Sequence, residues 1–449
     1  MTAIATAAPP RTFFGQPPAL GFLAFTEAWE RFSYYGMTSL LVLYMSQALF
    51  MPEHIGHIAG FAGYRGALES VFGPMSTLAL ASQTYGLYTG FVYFTPLIGG
   101  WIADRFIGRR NAVVAGALLM SGGHIAMAFD ASFLLALFLL ITGCGLLKGN
   151  ISTQVGQLYA EDDAAGRTRG FSIFSMAINV GAVAGPLTCG LLAQLYGWHV
   201  GFGVAGLLML FALATYLAGY RYLSETARGT ATIEPSAPLT VRQKRAIGAL
   251  IVVMLICIPH SIAFYQNSNI GFVWINGHVD RSVAGFQIPI AWFGSAMDSF
   301  ISIACVPFLF ALWRWQARHG GEPGEISKIG IGAAMAACAN LVLAFAALLP
   351  GRVSPIWFTL YEVILGVAFI WQWPTLLALT SRIAPQRLKS TLMGAAFLTL
   401  FASNMTIGRI GALYEHMTPA AFWTLNAAIA ATGAVAAFLL RKPLERNFA

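Results

Sequence analysis

The chain has 449 residues, 57% of them apolar and 10% charged, with 26 Lys and Arg against 18 Asp and Glu for a net charge of +8. A water-soluble domain carries about 25% charged residues, so this composition excludes a chain that covers itself with polar groups. No basic run interleaved with aromatics exists to track a phosphate backbone, which excludes nucleic acid as a partner.

Apolar windows of about 20 residues, each long enough to cross a bilayer, recur along the whole length. They predict helices over 20–49, 78–103, 110–130, 132–156, 167–196 and 198–221, then 245–269, 286–312, 327–349, 355–381, 388–413 and 418–440. The first is too long for a signal-peptide core and no small-residue cleavage site follows it, so the N-terminus is expected to be retained. Residues 224–245, SETARGTATIEPSAPLTVRQKR, are polar with two prolines and read as a cytoplasmic linker. The expected organisation is a six-helix bundle over 1–223, the linker, and a second bundle over 246–449. Cys144, Cys189, Cys257, Cys305 and Cys338 lie in apolar stretches without CxxC spacing and read as small core residues.

Lys and Arg accumulate in cytoplasmic loops of membrane proteins. With both termini cytoplasmic, 20 of the 26 fall on that side, Arg11, Arg228 and Arg387 among them. Only Arg65, Arg281, Arg352 and Arg409 fall on the other, while Arg31 and Lys148 sit inside helices. A missing helix would scramble this bias.

Ionisable side chains in hydrocarbon cost about 2.5–3.5 kcal/mol on insertion scales and usually serve function. Here they are Glu27, Glu30, Arg31, Lys148, Asp298 and Glu362, with His124 and His260 able to remain neutral. Glu27, Glu30, Arg31 and Tyr34 share one helix face. Two acids and one arginine cannot all neutralise one another, so one carboxylate is left to load and release a proton; a static ion cluster is the other reading. Lys148 lies about 12 Å from its helix end, beyond the reach of a snorkelling stem. A shift of one turn would bring Glu362 to the outer interface, and interfacial placement also stands open for Asp298. His260 reads as hydrogen-bonded core. No HExxH or GxSxG constellation points to an enzyme, and neither a cofactor nor a metal is expected.

Between the second and third helices stands GGWIADRFIGRR, Gly99 to Arg110, which resembles the loop signature of the major facilitator superfamily. Glu27-Ala-Trp-Glu30-Arg31-Phe32-Ser33-Tyr34-Tyr35-Gly36 is similar to the ExxERFxYYG motif of the proton-dependent oligopeptide transporter (POT/PTR) family. So are FSMAINVG with Gly185 and Pro186, Tyr93 in FVYFTP, Lys148 with Asn150, and SRIAPQRLKSTLMG, Ser381 to Gly394. The resemblance implies an all-α membrane protein of the major facilitator superfamily fold, twelve transmembrane helices in two six-helix bundles, with no extra helix pair between the halves. It implies Glu27, Glu30 and Arg31 as a proton-handling cluster and Arg31, Tyr34, Tyr35, Tyr93, Lys148 and Asn179 as substrate contacts. It departs from the family at Thr38, where an arginine is usual, at Tyr265, where an acid is usual, and at Phe369, beyond which the tenth-helix glutamate is missing; Asp298 stands where an asparagine is usual. Proton handling in the second half is therefore assigned to Asp298 and Glu362.

The implied function is a proton-coupled symporter importing di- and tripeptides by alternating access, a monomer in the bacterial inner membrane with both termini cytoplasmic. The alternatives are a POT-family carrier of another small anion or amino-acid-like solute, and a facilitator with lost proton coupling. The expected partners are a small peptide, protons and the lipid bilayer.

Overall fold

A computed structural model describes residues 12–160, 163–223, 239–319, 321–385 and 388–448. The expectations placed on Arg11, Arg228, Arg387 and linker residues 224–238 lie outside the described residues.

Fourteen α-helices occur among the described residues: α1 (Pro18–Tyr44), α2 (Phe61–Phe72), α3 (Thr77–Ile102), α4 (Arg109–Ala126), α5 (Phe133–Gln157), α6 (Ala164–Tyr196) and α7 (Trp198–Gly219), then α8 (Val241–Tyr265), α9 (Ile270–His278), α10 (Ser295–His319), α11 (Glu325–Ala346), α12 (Ile356–Ile383), α13 (Lys389–Ala412) and α14 (Pro419–Phe448). All but α2 and α9 run 18 residues or more, and nine of these are long and apolar enough to cross a membrane on length and composition alone. The surface is apolar and the charges are inside: Phe308 and Leu439 are 77% and 74% exposed, while Glu30 and Glu362 are fully buried. That inversion is what lipid in place of water demands.

In the first half α1 packs on α6 and α7, α3 on α5, and α4 on α5 and α7; in the second, α8, α11, α12 and α14 pack together with α13, and α10 lies on α12. Two seams join the halves, α3 against α13 and α6 against α10. Glycines set these distances. A Cβ at Gly86 of α3 would stand 2.5 Å from the Asn404 carbonyl and 3.2 Å from the Gly408 amide, both backbone atoms of α13 that cannot move aside. Gly86→Leu is expected to lower the thermal midpoint in detergent by about 2–5 °C. Gly63→Leu on α2, where a Cβ meets nothing, is expected to leave it unchanged.

Three predicted elements need correction. Residues 50–77 read as a connection, yet they hold α2, a helix too short to span lipid. On it the Arg65 guanidinium bonds Glu69 and, with the Met75 amide, holds that carboxyl below the usual range. The helix predicted over 245–269 breaks at Gln266–Asn269, where the backbone leaves helical geometry at Asn269 and side-chain amides anchor the turn: Gln266 donates to the Ile407 carbonyl at 3.1 Å and Asn269 to Ser82 at 2.7 Å. The helix predicted from 286 begins only at Ser295. Its apolar start is a two-stranded hairpin, β1 (Ser282–Val283) and β2 (Phe286–Gln287), turning through Ala284 and Gly285 at positive φ, with Pro289 after it. The five cysteines are unpaired, and Cys338 faces outward from α11 rather than into the core.

Candidate functional site

The helical spacing of α1 turns Glu27, Arg31 and Tyr34 inward together. Arg31 Nη2 donates to Glu30 Oε1 at 2.6 Å and its Nε donates to Glu30 Oε2, a two-pronged contact. The same Nε lies 3.3 Å from Glu27 Oε1, while Glu27 Oε2 has no hydrogen-bond partner. The three charged side chains are at most 3% exposed. The imbalance expected from two acids and one arginine therefore falls on Glu27. The guanidinium also lies 5.1 Å from the Tyr34 ring centre, and Tyr34 packs against Tyr35 and Tyr88.

Beside this cluster, Lys148 of α5 rests its ammonium 4.8 Å from the ring centre of Tyr93 on α3. Among the described residues no carboxylate forms an ion pair with it. The Tyr93 hydroxyl meets that of Tyr265, the last residue of α8, at 3.0 Å. Tyr35, Tyr93, Lys148, Tyr265 and Asp298 are all half-buried, and Tyr35 and Tyr265 each lie within electrostatic range of Tyr93 and Asp298. Together they bring polar groups of both halves to one place.

In the second half Asp298 stands in the first turn of α10 and Glu362 on α12. A Cβ at Gly366, one turn beyond Glu362, would come 3.2 Å from Asp298 Oδ1, so the two acids face each other. Neither oxygen of Glu362 has a hydrogen bond of good geometry; Asn267 at the α8 break is its polar neighbour. Glu362 is fully buried in the bundle and not at an interface.

Asn179 is separate from this group. It lies half-buried on α6 and donates to the Ser175 carbonyl of its own helix at 3.0 Å, with no hydrogen bond to Tyr93 or Lys148 among the described residues. Asn150 is structural, tying α5 to the Gly99 carbonyl of α3. His260 is buried with its ring stacked near Phe264 and the Gly332 backbone as its polar neighbour, though neither nitrogen makes a hydrogen bond of good geometry; His124 is also buried with both nitrogens unbonded among the described residues. In the second-to-third helix loop, Asp104 and Arg109 form an ion pair at 3.0 Å, the acid and arginine that the motif sets together. Reasoning from sequence passed over Tyr88, Asn267 and the contact of Tyr265. The signal for Tyr88 was present in the recurrence of tyrosines at 85, 88 and 93 among small residues.

The model of the POT family matches residues 110–238 and 229–425. The chain belongs to the POT family. The di-/tripeptide transporter of Lactococcus lactis subsp. cremoris is 28% identical over 97% of each chain. The peptide transporter YePEPT of Yersinia enterocolitica is 30% identical over 97% of this chain and 96% of its own. Among solved structures, a peptide transporter POT in complex with alafosfalin superposes with a TM-score of 0.84 at 26% identity, covering 98% of this chain and 97% of that one. This POT-family chain thus has the major facilitator superfamily fold and is a membrane transporter, not an enzyme.

Proposed function

We propose that this POT-family chain is a proton-coupled symporter that imports di- and tripeptides by alternating access. The bundles 1–223 and 246–449, joined by the linker 224–245, rock about the central space. The protein acts as a monomer in the bacterial inner membrane, with both termini cytoplasmic and α2 outside. Glu27, Glu30 and Arg31 handle the proton, and Asp298 with Glu362 forms the titratable pair of the second half. Lys148 takes the substrate carboxylate; Arg31 joins it when its own acids release it. Tyr34, Tyr35 and Tyr93 supply aromatic walls, and Asn179 donates to the peptide amide after leaving Ser175.

One observation carries this reading: a buried, unevenly paired acid–arginine cluster lies beside a lysine held on an aromatic face without a carboxylate partner. The cluster has room for a proton and the lysine for an anion, and a peptide with its proton brings both. Relatives named di-/tripeptide transporter and peptide transporter support the substrate class.

Dialanine uptake into proteoliposomes tests it. An acid-outside gradient is expected to drive accumulation above the external concentration, and dissipating the gradient is expected to abolish it. Equal uptake with and without the gradient would favour the facilitator. Accumulation of a free amino acid or small anion but not of dialanine would favour the other-solute reading, to which Thr38 and Tyr265 in place of charged residues lend weight.

A further inference from the structure

We propose that Tyr265 is a positioning residue of the transport cycle, and that its hydrogen bond to Tyr93 is an uncharged latch holding the two halves together at the inner limit of the closed outer side. The proposal rests on the alternating-access reading. Among the described residues α1 makes no hydrogen bond to the second half; the Thr38 hydroxyl is turned back to the Tyr34 and Tyr35 carbonyls of its own helix at 2.9 and 3.3 Å. The cross-links come from α3 with its capping residue and from α6. Ser76 bonds Glu415, Asn269 donates to Ser82, Ser82 to the Gly408 carbonyl at 3.3 Å and Thr89 to Asn404 at 2.8 Å. On α6, Gln194 donates to the Gln287 carbonyl at 2.8 Å, and its Leu187 carbonyl accepts from Trp292 at 2.9 Å.

Along α3 these partners run from the outer end inward, and the Tyr93–Tyr265 bond is the innermost. Among the described residues it is also the only one of the α3 set that reaches α8 itself. Tyr265 is the last residue before the Gln266–Asn269 break, so a pull on its ring acts at the point where the helix changes direction. Both tyrosines are half-buried, where an unmade hydrogen bond is not fully replaced by water. The groups facing the pair are Tyr35 from α1, Lys148 from α5 and Asp298 from α10. None of them forms a hydrogen bond to either hydroxyl among the described residues, so the two tyrosines depend on each other. The Lys148 ammonium on the Tyr93 ring places the latch in contact with the proposed anion site.

A latch and a mere packing contact differ in a double-mutant cycle. Leu43 is 2% exposed and lines the outer cavity between the halves with Gln194 and Ile290, so labelling of Leu43→Cys by an impermeant maleimide reads outward opening without substrate. The chain without that cysteine gives the background from the five native thiols. Tyr93→Phe and Tyr265→Phe are each expected to speed labelling by about two- to tenfold, the loss of one hydrogen bond. The double variant is expected to label no faster than the quicker single one. Multiplying effects would show that the hydroxyls act separately and would overturn the latch, as would unchanged labelling in both single variants. Because labelling needs neither proton nor peptide, a failure here is distinct from failure of dialanine accumulation. Tyr265→Leu, which removes the ring as well, separates the hydroxyl from the packing: equal labelling of the Phe and Leu variants supports the latch, and an effect confined to Leu sinks it.

Discussion

Glu27→Gln is expected to abolish proton-driven accumulation of dialanine while leaving exchange of labelled for unlabelled dialanine within about threefold of the parent. A buried charge costs several kcal/mol unless it is paired. Two carboxylates around Arg31 leave one negative charge in excess, and the geometry assigns that excess: Glu30 is held by two prongs of the guanidinium, whereas Glu27 has one oxygen at 3.3 Å from Nε and the other unbonded. A proton on Glu27 neutralises the cluster with the least loss of bonding. Glutamine has the shape of the protonated acid, so the variant is locked in the loaded form and can still exchange substrate through the central space. With one proton per peptide, a one-unit pH gradient supports about tenfold accumulation, and the variant should reach a ratio of about one.

Glu30→Gln is the informative contrast. It removes a carboxylate from a buried bidentate pair, a change that costs about 3–5 kcal/mol, so exchange and thermal stability should fall together with accumulation. Accumulation by Glu27→Gln equal to that of the parent would remove Glu27 as the proton carrier. Loss of exchange together with accumulation, at full stability, would instead mean that its charge is needed for substrate.

How much of this was visible beforehand depends on range along the chain. The Glu27–Arg31–Tyr34 face could be read from sequence because all its partners lie within two turns of one helix, where spacing alone dictates geometry. Asp104 and Arg109 are likewise local. Pairing between helices was beyond that reach: nothing in the spacing of residues 298 and 362 says that Gly366 lets the two acids face each other, or that residue 265 meets residue 93. The α8 break was hidden because Gln266, Asn267 and Asn269 interrupt a run that stays apolar on both sides, and the partners of Gln266 and Asn269 lie on α13 and α3. The late start of α10 was open to discovery, since Pro289 falls inside the span predicted as helix.

The largest effect on substrate affinity should come from Lys148→Gln. Two cations stand near the central space, but they are not equally available. Arg31 already gives Nε and Nη2 to Glu30 and has Glu27 Oε1 3.3 Å from the same Nε, so an incoming carboxylate would have to displace acids already in place. Lys148, with no ion pair among the described residues, rests on the face of Tyr93, an attraction worth about 0.5–2 kcal/mol, which a carboxylate exceeds. A charge-assisted bond of about 1.5–3 kcal/mol lost from the bound state predicts a KM for dialanine raised about ten- to a hundredfold, with the maximal rate changed much less. The same variant should handle dialanine amide no worse than the parent does, because that ligand offers no carboxylate. Equal weakening for the free and amidated forms would mean that Lys148 shapes the cavity through Tyr93 rather than binding the anion. In that case Tyr93→Phe, which keeps the ring under the ammonium, should shift the two ligands by the same factor.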